Sequence, residues 1–161
     1  MSLRSITCRH IRCRPQAGGW TIVELMLALT VVAVLIALAV PAWHKQRNRV
    51  LSRHAGQDIG MMAAAIDAYA LDHRAYPNSL ADVQMGGRVD PWGRPYVYYN
   101  VDKRGRGGAR KDRALNPINS DFDLYSHGAD GVTHMQVSHR NSADDVLRAN
   151  SGRYVGLGAD F

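Results

Sequence analysis

From Leu25 to Trp43 no residue carries a formal charge, and only Thr30 and Pro41 interrupt the apolar run. Wound as a helix at 1.5 Å per residue, this stretch is about 28 Å long, close to the roughly 30 Å of a bilayer hydrocarbon core. The pattern then changes. Leu51, Ala55, Ile59, Met62, Ile66 and Tyr69 recur at steps of three and four, the period of one apolar stripe on a surface helix. The spacing predicts that this helix ends near Arg74, because Pro77 biases Tyr76 away from helical geometry. Asn78 is then placed to cap a short turn, "NSLADVQ". In "DPWGRPYVYYN", Asp90, Pro91, Trp92 and Gly93 suit a type I turn, and Tyr96 to Tyr99 read as a strand.

Charge changes the picture at the N-terminus. The 161 residues carry a formal net charge of +6, yet Arg4, Arg9, Arg12 and Arg14 precede residue 20 with no acid among them. This bias reads as a cytoplasmic retention signal for the N-terminus rather than as nucleic-acid binding. Cys8 and Cys13 are the chain's 2 cysteines, so removal of this stretch leaves no disulfide. A secretory signal peptide is the alternative, with "ALAVPA" offering small residues for cleavage. Against it stand the length of the apolar run, Glu24 within its head, and Gly18-Gly19 placed before it. Lys45, Arg47, Arg49 and Arg53 follow the run as a solvated or headgroup-facing collar.

Glu24 is costly beside a membrane unless it finds a partner. A cut after Gly19 would create one, since the new α-amino group of Trp20 lies four residues away. That amine could meet the Glu24 of a neighbouring chain as helices are added side by side. "GGWTIVEL" resembles the processing signal of type IV pilins and type II secretion pseudopilins: a basic leader, Gly at the cut, an aromatic residue at mature position one, Glu at mature position five and an apolar helix. The resemblance implies that a prepilin peptidase cuts between Gly19 and Trp20 and N-methylates Trp20. It also implies that Glu24 serves assembly and that Pro41 gives the stem a bend or local melting point. Trp20 stands where most members have Phe.

Further along, "AIDAYALDHRAYP", "DPWGRPYVY" and "DFDLYSHGADG" are similar, in the same order, to landmarks of the major pseudopilin of the type II secretion system. The expected fold is α+β and pilin-like, with a long N-terminal helix on a small antiparallel sheet. Residues 1–19 would be a cleaved leader, 20–43 a transmembrane and assembly helix, 44–75 its amphipathic continuation and 76–161 a β-rich periplasmic domain. The resemblance implies an inner-membrane protein with a cytoplasmic N-terminus, polymerising with copies of itself and other pseudopilins. A platform protein and an assembly ATPase would drive the filament that pushes folded proteins across the outer membrane. The alternative is a type IV pilus subunit acting in adhesion, motility or DNA uptake.

The resemblance also implies a structural calcium ion in place of a disulfide. Its ligands would be Asp130 of the "GADG" turn, the pair Asp144 and Asp145, and the backbone carbonyl of His127. The alternative reading makes "GADG" a plain tight turn and Asp144-Asp145 the cap of a C-terminal helix. Counting twelve from Asp121 reaches Val132, which excludes an EF-hand. His134 and His139 lack cysteine partners for zinc. "KRGRGGARKDR", residues 103–113, lacks interleaved aromatics and reads as a mobile solvated loop. No nucleophile constellation or Walker-type loop is present in the sequence, so nothing points to catalysis.

Overall fold

The computed structural model describes residues 19–161, so residues 1–18 of the expected leader, with both cysteines, lie outside the described residues. The chain divides between Pro41 and Ala42 into two compact units. One helix, α1 (Ile22–His73), contributes to both and contains Pro41.

In the first unit the apolar side chains of α1 are exposed all round, from Ile22 through Val40. The helix is long and apolar enough to cross a membrane. A helix apolar on every face, with nothing of its own chain to bury against, is built for lipid or for other helices. Within this apolar stretch the Thr30 hydroxyl is satisfied internally, because its Oγ1 donates to the Leu27 carbonyl at 2.8 Å.

The second unit packs the rest of α1 against a four-stranded antiparallel sheet. Its strands are β1 (Val97–Asn100), β2 (Phe122–Ser126), β3 (Val146–Ala149) and β4 (Tyr154–Leu157), in spatial order 1-2-3-4. A four-residue helix, α2 (Val101–Arg104), follows β1. The three-four stripe is the buried face of α1. Ala55, Ile59, Met62 and Ile66 are fully buried against Tyr96, Phe122, Leu124 and Val146, with Leu51 and Tyr69 half-buried at the ends of the stripe. The helix ends at His73, and Arg74 takes a left-handed φ of 54° that turns the chain out.

Alternation along β2 sends Phe122 and Leu124 to the helix and Asp123 and Tyr125 to the opposite face. That face is also buried. Leu147 and Ala149 of β3 pack there beneath Ile118 and Val137, which come from loops. The sheet is therefore covered on both sides, by a helix on one and by ordered loops on the other.

Three local expectations change. The 3₁₀ turn Leu80–Val83 is capped at Ser79 rather than Asn78, with Asp82 accepting from both the Ser79 and Asn78 amides at 3.0 and 2.8 Å. Asp82 supplies the reciprocal half of a capping box, which outweighs Asn78's own propensity. The strand starts one residue later than expected, at Val97. Residues 103–113 are solvated only in part, since Lys103 to Gly108 are exposed but Ala109 and Arg110 are buried.

Candidate functional site

The helix start is built from three residues. Gly19, Trp20 and Thr21 precede α1 in non-helical, exposed backbone. Thr21 Oγ1 accepts from the Glu24 amide at 3.2 Å, and Glu24 Oε2 accepts from the Thr21 amide at 3.3 Å and its hydroxyl at 3.4 Å. This reciprocal pair is a capping box, and "T-x-x-E" is its sequence signal. Glu24 thus has a partner within its own chain as well as the expected one at a neighbour's Trp20 amine. The carboxylate also lies in the first turn, where the helix dipole favours negative charge. Because Thr21 ends the helix there, the Gly19–Trp20 bond lies outside it, in exposed chain.

The C-terminal landmarks interlock. Asp90 and Gly93 close the expected turn, with the Gly93 amide donating to the Asp90 carbonyl at 2.9 Å. Asp90 Oδ1 accepts from the Trp92 and Arg94 amides, and its Oδ2 accepts from the Ser126 hydroxyl at 2.5 Å. Arg94 Nη1 donates to the Gly128 carbonyl at 2.7 Å, so "DPWGR" holds the "SHGADG" turn. Tyr98 Oη and Asn100 Nδ2 both donate to the Pro77 carbonyl, at 2.8 and 3.0 Å, which anchors "AYP" to β1. Tyr96 Oη donates to Asp58 Oδ2 of α1 at 2.9 Å. Burial, and then that hydrogen bond, push the Tyr96 phenol up from its ordinary value.

The residues expected around calcium lie near one another, and each already accepts a hydrogen bond. The His127 carbonyl accepts from the Gly131 amide at 3.2 Å. Asp130 Oδ1 accepts from the Val132 amide at 2.7 Å, and Asp144 Oδ2 from the Asp130 amide at 2.9 Å. Asp145 is fully buried, and its Oδ2 accepts from Arg110 Nη2 at 2.8 Å and Thr133 Oγ1 at 2.6 Å. No C-terminal helix follows the acid pair; β3 does. Among the described residues no three His, Cys, Asp or Glu side chains gather to hold a metal. His134 and His139 stack with ring centroids 4.3 Å apart. Gly128 fits this corner closely, with a φ of +64° and a position where a Cβ would lie 2.1 Å from the Asp144 carbonyl oxygen. Gly128→Ala is expected to cost about 2–3 kcal/mol from backbone conformation and crowding, read as a lower thermal midpoint with α1 helicity retained.

Known proteins match most of the chain. A type II secretion system core protein G of Pseudomonas aeruginosa is 30% identical over 139 residues, which cover 73% of this chain and 87% of that protein. The chain belongs to the type II secretion core protein G family, the major pseudopilins. A second core protein G, from Escherichia coli K12, is 25% identical over 75% of this chain and 88% of its own length. Competence protein ComGC of Bacillus subtilis is 30% identical over 71 residues, or 44% of this chain and 72% of that protein. No family model and no solved structure matches.

Two features of this pseudopilin were not read from its sequence. The capping box was legible in Thr21 and Glu24. The two buried ion pairs, Arg110 with Asp145 and Arg148 with Asp121, join residues far apart in the chain, and no local signal marks them.

Proposed function

We propose that this chain is a structural subunit of a type II secretion pseudopilus, polymerising through the first half of α1 to help move folded proteins across the outer membrane. Coverage carries this reading: the core protein G relatives match about three quarters of the chain, whereas ComGC matches less than half. Prepilin peptidase cuts between Gly19 and Trp20 and methylates Trp20. The N-terminus faces the cytoplasm and the sheet domain the periplasm. As a subunit leaves the bilayer, its Glu24 meets the amine of a neighbour's Trp20, and the exposed apolar helices withdraw from lipid into a filament core. Other pseudopilins, a platform protein and an assembly ATPase complete the machine. The role is structural rather than catalytic.

Deleting the gene tests this against a type IV pilus role. The expected result is exoproteins trapped in the periplasm with surface pili intact. Lost pili with normal secretion would assign the chain to a pilus instead.

A further inference from the structure

We propose that the Arg110 guanidinium does in this pseudopilin the cross-tying that the family resemblance assigns to calcium. Arg110 joins three separate segments on the far face of the sheet. Nη2 donates to Asp145 Oδ2 at 2.8 Å, Nη1 donates to the Thr133 hydroxyl, and its backbone amide donates to Asp123 Oδ2 at 2.6 Å. Thr133 in turn donates to Asp145 Oδ2 at 2.6 Å. The guanidinium lies 4.4 Å from the centre of the Tyr125 ring, and only 3% of the residue is exposed. The basic loop, the segment after the "GADG" turn and the acid pair before β3 are therefore held by one buried cation. A loop-bound calcium ion would tie the same parts of the chain, and a planar fork of five donors suits the task.

The donor set does not fit a second cation. Calcium takes six to eight oxygens, but the His127 carbonyl and one oxygen of each of the three aspartates are committed to N–H donors. An ion bound at Asp145 would share a buried carboxylate with a guanidinium, and two positive charges in a poorly hydrated site repel strongly. Asp145 Oδ1 and Arg110 Nε have no hydrogen-bond partner within the protein. One accepts and the other donates, and their charges are opposite.

The test uses the full-length processed protein in detergent, followed by thermal unfolding in chelator and in millimolar calcium, with terbium luminescence as a direct probe of the ion site. The expected result is one unfolding midpoint in both buffers and no saturable terbium signal. Arg110→Met is expected to lower the midpoint by about 10 °C in both buffers, and Arg110→Lys, which keeps the charge and loses the fork, by less. If Arg110→Met does not fold, the wild-type measurement still decides. A midpoint raised by calcium, or saturable terbium binding lost in Asp130→Asn or Asp144→Asn, overturns the proposal.

Discussion

Glu24→Gln is expected to leave the start of α1 intact and to remove the subunit from the filament. Gln can serve in a capping box as Glu does, so the hydrogen bonds to Thr21 survive while the charge is lost. Glu24→Ala loses both, and the missing cap costs about 0.5–2 kcal/mol at the helix end. A charge-assisted hydrogen bond contributes about 1.5–3 kcal/mol, so losing the proposed pairing with a neighbour's Trp20 amine would weaken each subunit addition by about tenfold to a hundredfold or more. Over many additions this abolishes assembly. The readouts are membrane fractionation, in which both variants stay inserted, and cysteine cross-linking between adjacent subunits, which both lose together with secretion. Thr21→Ala keeps the charge and is expected to show the smaller defect. Normal cross-linking of Glu24→Gln would leave Glu24 with a capping role alone.

The capping box refines the question that an acid at the head of an apolar helix raises. Before assembly the carboxylate has the Thr21 amide and hydroxyl in its own chain, which lowers the cost of keeping it beside the bilayer. Only Oε2 is engaged in that cap, so in the proposed pairing Oε1 is left to meet the amine of a neighbour's Trp20.

What the sequence made legible follows the range of the interactions. The apolar run, the stripe from Leu51 to Tyr69 and the Asp90 turn depend on residues within a few positions of one another, and the structure places them as the periodicity requires. The capping box is as local, and its signal lies in plain view at Thr21 and Glu24. Residues 103–113 misled for a physical reason. A Gly-rich basic stretch is ordinarily solvated, and Arg110 is buried only because Asp145 and Thr133 wait for it 35 and 23 positions further on. Burial of a charge needs a partner, and a partner that distant leaves no trace in local composition. The same holds for the far face of the sheet, where Ile118 and Val137 complete a second core from loops that carry no periodic pattern.

Arg148→Met is expected to destabilise the sheet domain by about 3–5 kcal/mol, since it leaves a largely buried carboxylate without its partner. For a chain of this size that is a fall in midpoint of about 6–20 °C. Arg148 Nη1 and Nη2 hold the two oxygens of Asp121 at 2.9 and 2.6 Å, and Nη1 also donates to the Phe122 carbonyl at 3.1 Å. The guanidinium lies 3.9 Å from the centre of the Phe122 ring, which Met can partly replace by packing. Burial alone would raise the Asp121 carboxyl, but the Arg148 fork and the Phe122 amide outweigh it and hold the group below its ordinary value. The stability from this pair is therefore present above about pH 4, where the unfolded chain is already ionised, and is lost as pH falls through the lower folded value. Asp123 has the opposite sign. Burial raises it despite the Arg110 amide and Asn119, so its charge costs stability above its ordinary range, and part of that is regained as pH falls through the raised value. The two carboxylates oppose each other in acid, and a pH series on the wild type alone mixes them. The difference between wild type and Arg148→Met removes Asp123, which is common to both, and reports Asp121 together with Asp67, whose carboxyl Arg148 also pulls down against its burial. That gap is expected to be full at neutral pH, to begin narrowing above about pH 4, because in Arg148→Met burial is no longer offset by the fork and raises the Asp121 carboxyl, and to narrow further as pH falls through the lower wild-type value. A gap of constant size across the whole series would mean that Arg148 acts through its packing on Phe122 and not through its charge.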